Sequence, residues 1–299
     1  MIEINNIYKD ENEAKAFIGE CEAAFEKKLS DIAADIMASE SVRYLTLAGP
    51  TCSGKTTTAE KLTFYFSKGR RHARVISIDD FYYEKAEMDV LGVTDIEGPE
   101  AINTGLFRRC VEKLSKGLPA CLPTFDFTTR TRAALTEYIP RTDDIYIFEG
   151  IQAVYPEITD VIKPYGTKGI FINVSEDAEV LGNRFEKNDL RLMRRTVRDY
   201  YHRGATVELT MQLWGGVRDN EERNIFPMTS GSDYIINSML PYEIFLISDY
   251  YRAVTNGYPK DAVMADKVYA LREKLSCTDG SAVKLSMIPE HSVFREFVV

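Results

Sequence analysis

The feature that most constrains this chain is a short glycine-bearing motif between a strand-like run and a helix-like run. Residues 49–56 read GPTCSGKT and match the pattern G-x-x-x-x-G-K-[ST]. The preceding residues 42–48 (VRYLTLA) are typical of a buried strand, and residues 55–68 have a helical pattern. A strand, a turn of small residues and a helix in this order predict a loop that wraps an anion with backbone N–H groups.

The residue types of this motif indicate a nucleoside triphosphate as the anion. Glycines let the loop curl so that successive N–H groups point inward, and the helix adds positive charge at its N-terminus. We expect Lys55 to lie between the β- and γ-phosphates and the Thr56 hydroxyl to ligate Mg²⁺. A turn that binds nothing is the alternative, and the flanking strand and helix argue against it. ATP and Mg²⁺ are therefore expected, held by Gly49, Thr51, Cys52, Ser53, Gly54, Lys55, Thr56 and Thr57.

Apolar runs alternate with helical patterns through the rest of the chain. Strands are predicted at 74–79, 144–148, 169–174 and 234–236, and helices at 10–40, 99–116, 177–203, 243–251 and 261–275. This alternation predicts an α/β fold of the P-loop NTPase type, a parallel sheet flanked by helices. We divide the chain into an N-terminal helical extension (1–41), a central domain (42–250) and a C-terminal helical extension (251–299).

Composition excludes several classes of protein. The net charge of −9 argues against a general nucleic-acid binder or a polybasic membrane-surface protein. No apolar run reaches the roughly 18–20 residues that span a bilayer, and the polar, acidic N-terminus does not resemble a signal peptide. The five cysteines form no CxxC pair, as is typical of reduced thiols. We therefore expect a cytoplasmic protein with no nucleic-acid or membrane partner; a homo-oligomer is left open.

Two carboxylates are predicted at the ends of neighbouring strands. Asp79 closes the run RVISID, and Glu149 closes IYIFE. In open parallel sheets ligands bind outside the carboxyl ends of the strands, so both acids are expected near the phosphates. A carboxylate there can ligate Mg²⁺ or accept a proton from an attacking hydroxyl. We interpret Asp79 as the better candidate for the base, with a further role at the metal, and Glu149 as the better metal ligand.

Residues 184–203 are strongly basic. They contain seven basic and three acidic residues in an otherwise acidic chain. On a helix Arg191, Arg195 and Arg198 share one face. Such clusters are usually solvated, but guanidinium groups also suit a transferring phosphoryl. We interpret residues 184–204 as an arginine-rich helical lid that closes over the phosphates and excludes water, which favours transfer over hydrolysis.

These motifs together resemble the uridine kinase and phosphoribulokinase group of P-loop kinases over about residues 44–250. The segments that carry the resemblance are GPTCSGKTT, VISIDDFYYEK, EGPEA, LPTFDFTTRTR, IFEGI and the arginine-rich residues 191–204. The likeness is greatest to a longer bacterial subgroup of uridine-kinase-like proteins, through Trp214, IFP at 225–227, NSMLPYE at 237–243 and the tail IPEHSVFREF.

The resemblance implies roles for the matching residues. It makes Asp79 the base for a ribose 5′-hydroxyl, Arg195 a lid contact to the acceptor, and Arg198 and Arg203 lid contacts to phosphate. With Lys55, the implied catalytic residues are Asp79, Arg195 and Arg198. The implied acceptor-binding residues are Tyr82, Glu97, Phe125, Phe127, Arg130 and Arg195.

The chain departs from the family pattern where the acceptor is recognised. Glu97 replaces a ribose-binding aspartate, and Phe125 and Arg130 replace the tyrosine and histidine that read the base in uridine–cytidine kinases. Two further nucleoside contacts become Ala205 and Leu213. Losing such hydrogen-bond partners changes specificity. Phe125 and Phe127 are interpreted either as stacking on a base or as core packing.

Three functions stay open at this point. The favoured one is an ATP- and Mg²⁺-dependent kinase acting on the 5′-hydroxyl of uridine, cytidine or a related nucleoside. A second keeps the chemistry with a sugar phosphate or another alcohol, which the cation Arg130 supports. The third is a nucleotide-binding regulator without activity, against which the intact Lys55, Thr56, Asp79 and Glu149 argue.

Overall fold

One five-stranded parallel sheet organises the structure, a computed structural model that describes residues 1–94 and 98–298. The strands are β1 (Ile2–Ile4), β2 (Tyr44–Ala48), β3 (Ala73–Ser77), β4 (Ala120–Asp126), β5 (Thr131–Tyr138), β6 (Ile145–Glu149), β7 (Thr167–Asn173), β8 (Ala178–Val180), β9 (Asn183–Phe185) and β10 (Tyr234–Asn237). The helices are α1 (Glu11–Met37), α2 (Lys55–Lys68), α3 (Lys85–Leu91), α4 (Thr104–Ser115), α5 (Pro156–Ile162), α6 (Lys187–Arg203), α7 (Val207–Asn220), α8 (Glu243–Val254) and α9 (Ala265–Lys274).

The main sheet has the strand order β10-β7-β2-β6-β3, with every neighbouring pair parallel. Successive side chains of β2 enter different cores: Tyr44 packs with α4 and α5, and Leu45 packs with α1 and α2. Helices therefore cover both faces, which explains why β2 is apolar throughout. The predicted α/β fold is confirmed.

The N-terminal helix is an integral part of the structure. Asp10 caps α1 by accepting hydrogen bonds from the N–H groups of Asn12 (2.8 Å) and Glu13 (3.1 Å). Phe25 and Leu29, on the predicted apolar stripe, are buried against the core that also contains Leu271 and Phe294. The predicted helix 10–40 is thus confirmed over residues 11–37. The division into three segments stays a prediction, and all three contribute to this one core.

The helix predicted from residue 177 is wrong over its first ten residues. The chain there forms the antiparallel hairpin β8–β9, and β1 pairs with β8 in parallel. Leu181 and Gly182 have φ of +49° and +80° and make the turn, which a helix cannot accommodate. The buried residues Ala178, Val180 and Phe185 alternate with the half-buried Glu179 and the exposed Arg184, a strand period that the high charge density obscured.

Other elements were not predicted. The antiparallel hairpin β4–β5 and the helices α3, α5 and α7 fill intervals that the sequence analysis left as connections. The strand predicted at 74–79 ends at Ser77, whose hydroxyl accepts from the Asp79 N–H (3.2 Å) and starts a 3-10 turn. Within the described residues, no helix combines the length and apolarity needed to cross a bilayer.

Candidate active site

The loop between β2 and α2 has the geometry of an anion-binding site. Cys52 and Gly54 have φ of +57° and +85°, which curls the backbone. The first helical hydrogen bond of α2 runs from the Thr58 N–H to the Gly54 carbonyl (3.1 Å), so the N–H groups just before it have no intrahelical acceptor. A Cβ on Gly49 would lie 2.1 Å from the carbonyl oxygen of Ile172, so only glycine fits there.

Lys55 and the two predicted acids lie on the same side of the sheet. The Lys55 ammonium donates to the Pro50 carbonyl (3.2 Å). Burial raises the pKa of Asp79 and that of Glu149, and the positive charge of Lys55 lowers both. The structure therefore brings together the residues on which the predicted chemistry depends.

Asp79 lies in the 3-10 turn after β3 rather than on the strand itself. Burial raises the pKa of its carboxyl, opposed by a hydrogen bond with Gln152 and by the charges of Lys55 and Arg203. The Gln152 amide nitrogen also lies 2.5 Å from the Tyr82 hydroxyl, so it contacts two predicted site residues. Such a desolvated, oriented carboxylate suits proton acceptance.

Glu149 is the last residue of β6, beside β2. Burial raises the pKa of its carboxyl, and the negative charges of Asp79, Glu296 and Asp80 raise it further. Lys55 acts in the opposite direction. Glu149 is thus within electrostatic reach of three other carboxylates, and a cation beside it would favour its ionised form.

A cavity of about 800 Å³ opens next to Asp79. Its volume is typical of a small-molecule site. The predicted site residues on its wall are Thr51, Asp79, Tyr82, Phe127, Arg195 and Arg203. Gln152, Glu221 and Arg223 join them, none of which the sequence analysis had proposed.

Of the other predicted acceptor residues, two lie away from this wall. Phe125 is buried behind the wall, with its ring centroid 5.8 Å from that of Tyr82. In this structure it is therefore a core-packing residue. The Phe125 N–H donates to Asp80 (2.9 Å), which ties β4 to the Asp79 turn. Arg130 is exposed at the tip of the β4–β5 hairpin. Glu97 lies outside the described residues.

Two buried arginines of α6 hold the loop from behind. Arg191 donates to the Thr51 carbonyl (3.2 and 3.3 Å) and pairs with Glu221. Arg194 donates to the Cys52 carbonyl (3.1 Å) and pairs with Glu243 (2.6 Å). The first half of the predicted lid is thus packed in the protein interior, and residues 184–186 of that segment precede α6, which begins at Lys187.

The second half of α6 carries the arginines that face the cavity side. Asp199 forms ion pairs with Arg195 (3.2 Å), Arg198 (2.9 Å) and Arg203 (3.4 Å). Arg198 also donates to the Thr51 hydroxyl of the loop (3.3 Å). One carboxylate therefore orders the three guanidinium groups next to the loop. Closure of this helix as a lid stays a prediction.

The C-terminal end of the chain lies against the same loop. Glu296 accepts from the hydroxyl of Thr57 (3.1 Å), and a Cβ on Gly54 would lie 2.4 Å from Val293. Sequence patterns could not find these contacts, because residues 239 positions apart share no local signal. Gln152 had a signal, since it follows the acid-glycine pair of the predicted strand end.

The residues next to the loop fit a magnesium–nucleotide complex. Among the part of the chain described, no three histidine, cysteine or carboxylate side chains converge as a metal site. Mg²⁺ characteristically takes one or two carboxylates and completes its shell with phosphate oxygens and water. Thr56 at the start of α2 and Glu149 at the end of β6 offer that limited set.

Comparison with known proteins identifies a family. The model of the "Phosphoribulokinase / Uridine kinase family" matches residues 44–244, about two thirds of the chain. The matched range includes the loop, both acids and the arginine-rich helix.

Named relatives agree with this match. A uridine-cytidine kinase 2-B from Danio rerio is 29% identical over 204 residues, covering 64% of this chain and 70% of the relative. A uridine kinase from Staphylococcus epidermidis is 29% identical over 196 residues, covering 64% and 84%. Uridine kinase-like protein 5 from Arabidopsis thaliana is 27% identical over 194 residues, and this chain spans only 38% of its length.

A solved structure supports the fold. The structure of a candidate fructose transport system kinase from Silicibacter sp. TM1040 superposes with a TM-score of 0.53 at 16% identity. The match covers 69% of this chain and 98% of that one.

Proposed function

Because this chain belongs to the phosphoribulokinase and uridine kinase family, we propose that it transfers the γ-phosphoryl of ATP to a hydroxyl of a small molecule. The proposed acceptor is the 5′-hydroxyl of uridine, cytidine or a related nucleoside. The observation that carries the proposal is the wall of the 800 Å³ cavity, where Asp79 lies with Arg195, Arg203 and Thr51 of the loop.

The loop supports triphosphate binding. Its N–H groups and the start of α2 would hold the phosphates, and the Lys55 ammonium would neutralise part of their charge. Mg²⁺, if held by Thr56 and Glu149, supplies positive charge to the phosphate oxygens. Arg198 and Arg203 lie where their guanidinium groups can add to it.

Asp79 supports a transfer reaction. We assign it the proton of the attacking hydroxyl, which moves to its carboxylate as the acceptor oxygen bonds to phosphorus. Gln152 orients this carboxylate, and burial keeps it basic by raising its pKa. The β–γ bridging oxygen leaves with ADP.

The cavity wall supports a flat acceptor. Phe127 is 59% exposed and lies edge-on to Tyr82 with ring centroids 5.9 Å apart. An exposed ring in a cavity can stack on a nucleobase. The relatives named uridine kinase point to the same class of acceptor.

A sugar phosphate is the second candidate acceptor. Arg130, on which the sequence analysis based it, lies outside the cavity wall, but Arg223 lies on that wall together with Arg195 and Arg203. Three guanidinium groups around one cavity favour an anionic acceptor. A nucleotide-binding regulator without activity is the third candidate function.

The test is ADP release measured across nucleosides, sugar phosphates and other alcohols, with an acceptor-free reaction as the blank. The proposal expects uridine or cytidine to raise ADP release above the blank and a Lys55→Ala variant to abolish the increase. Stimulation by sugar phosphates alone would favour the second candidate. ATP binding with no stimulation by any acceptor would favour the regulator.

A further inference from the structure

A second cavity of about 730 Å³ opens on the other side of the phosphate loop. Its wall starts at Thr56 and Thr57 and follows the outer face of α2 to Phe64. The N-terminal helix and the C-terminal residues 290–296 close it. None of the described residues that line it also lines the cavity at Asp79.

The position of this cavity matches the geometry of phosphoryl transfer. The attacking and leaving oxygens lie roughly in line through the transferring phosphorus. When the acceptor lies next to Asp79, the rest of the donor must therefore lie on the opposite side of the transferring phosphorus. In a loop of this type Lys55 reaches the β- and γ-phosphates, so the nucleoside must lie beyond the α-phosphate, on the side away from Asp79. Thr56 and Thr57 line the second cavity on that side.

The charge of the cavity wall favours an uncharged ligand. Lys61 pairs with Glu26, while the guanidinium of Arg295 donates to backbone carbonyls of its own segment. Among the described residues, the other carboxylate or imidazole side chains on the wall are three acids, Glu60, Glu290 and Glu296, and His291. An additional anion would be repelled here, whereas a nucleobase and ribose carry no charge at neutral pH.

Phe64 gives the cavity a surface for a flat ring. Its side chain is 54% exposed, although large apolar residues are usually buried. The Lys68 ammonium lies 4.3 Å from the ring centroid, a cation–π contact that holds the ring in place.

We propose that this second cavity holds the base and ribose of the phosphate donor, with the base stacked on Phe64. The proposal rests on the proposed kinase function and adds where the donor's nucleoside lies. Two walls of the cavity, α1 and residues 290–296, lie outside the region that matches the family. The donor site would therefore depend on both ends of this chain.

The test compares two ligands that differ only in the nucleoside. Dissociation constants for ATP and for inorganic tripolyphosphate are measured by calorimetry on the full chain, for the wild type, Phe64→Ala and Phe64→Trp. Loss of base stacking in Phe64→Ala should lower the affinity for ATP about tenfold and leave the affinity for tripolyphosphate unchanged. Phe64→Trp should keep the affinity for ATP.

Phe127→Ala is the matched control, because Phe127 is a similarly exposed aromatic residue in the other cavity. It should leave ATP affinity unchanged. Equal weakening of ATP and tripolyphosphate in Phe64→Ala, or no weakening of either, would overturn the proposal. Failure of the proposed function has a different signature: no acceptor would then raise ADP release above the acceptor-free blank, whatever the affinity of Phe64→Ala for ATP.

Discussion

The Thr57 hydroxyl donates a hydrogen bond to the Glu296 carboxylate across 3.1 Å, linking the phosphate loop to the C-terminal end of the chain. The negative charge of Glu296 also raises the pKa of the Arg198 guanidinium and that of the Glu149 carboxyl. The chain thus places one of its own anions at the edge of the site where a triphosphate would bind.

Glu296→Gln should therefore tighten the binding of both ATP and tripolyphosphate, by about threefold to tenfold, because it removes a like charge near the phosphates. The gain should shrink at high salt. Calorimetry at two ionic strengths measures it. Glu273→Gln, an exposed acid of α9 that lines neither cavity, is the control and should have little effect. Weaker binding of both ligands would show that Glu296 supports the site.

Arg194 provides a second prediction, on stability and binding together. Arg194→Met leaves Glu243 buried without its ion-pair partner, which should lower the free energy of unfolding by about 3–5 kcal/mol. Arg194→Met with Glu243→Met should recover most of that loss, as measured by urea denaturation. ATP should still bind about fivefold more weakly, since the Cys52 carbonyl has lost its hydrogen bond. Full recovery of ATP affinity in the double variant would exclude a positioning role for Arg194.

The pH dependence of the rate should reflect the raised pKa of Asp79. A general base must be ionised, so kcat/KM falls as the pH drops through the pKa of its carboxyl. Burial raises that pKa, so the acidic limb should lie above the usual aspartate value of about 4. A pH–rate profile with the acceptor found by screening measures it. An acidic limb at or below pH 4 would contradict the assignment.

Asp79→Asn should raise thermal stability at neutral pH. The native pKa of Asp79 lies above the unfolded value, so the folded protein binds more protons between the two pKa values and loses stability as the pH rises through that window. Asparagine removes this loss. The difference in Tm between the variant and the wild type should disappear below about pH 4. Lower stability of the variant at neutral pH would contradict the desolvation of Asp79.

The sequence predicted those parts of the site that have a local pattern. The start of α2 at Lys55 followed from the motif, and the common side of Asp79 and Glu149 followed from the rule for parallel strands. The burial of Arg191 and Arg194 was not predicted, because charges on a helix usually indicate a solvated face. Their burial is stabilised by ion pairs with Glu221 and Glu243. Those partners belong to other helical segments, so pairing depends on tertiary structure.

In the proposed function, Asp79 promotes transfer of the γ-phosphoryl to an acceptor hydroxyl. The most direct measurement is the ratio of phosphorylated acceptor to ADP, by mass spectrometry, for the wild type and Asp79→Asn. We predict a ratio of about one for the wild type. In Asp79→Asn the rate of acceptor phosphorylation should fall about 10²–10⁴-fold, while the affinity for ATP is retained. ADP formed with inorganic phosphate and no phosphorylated acceptor, or an unchanged rate in Asp79→Asn, would contradict it.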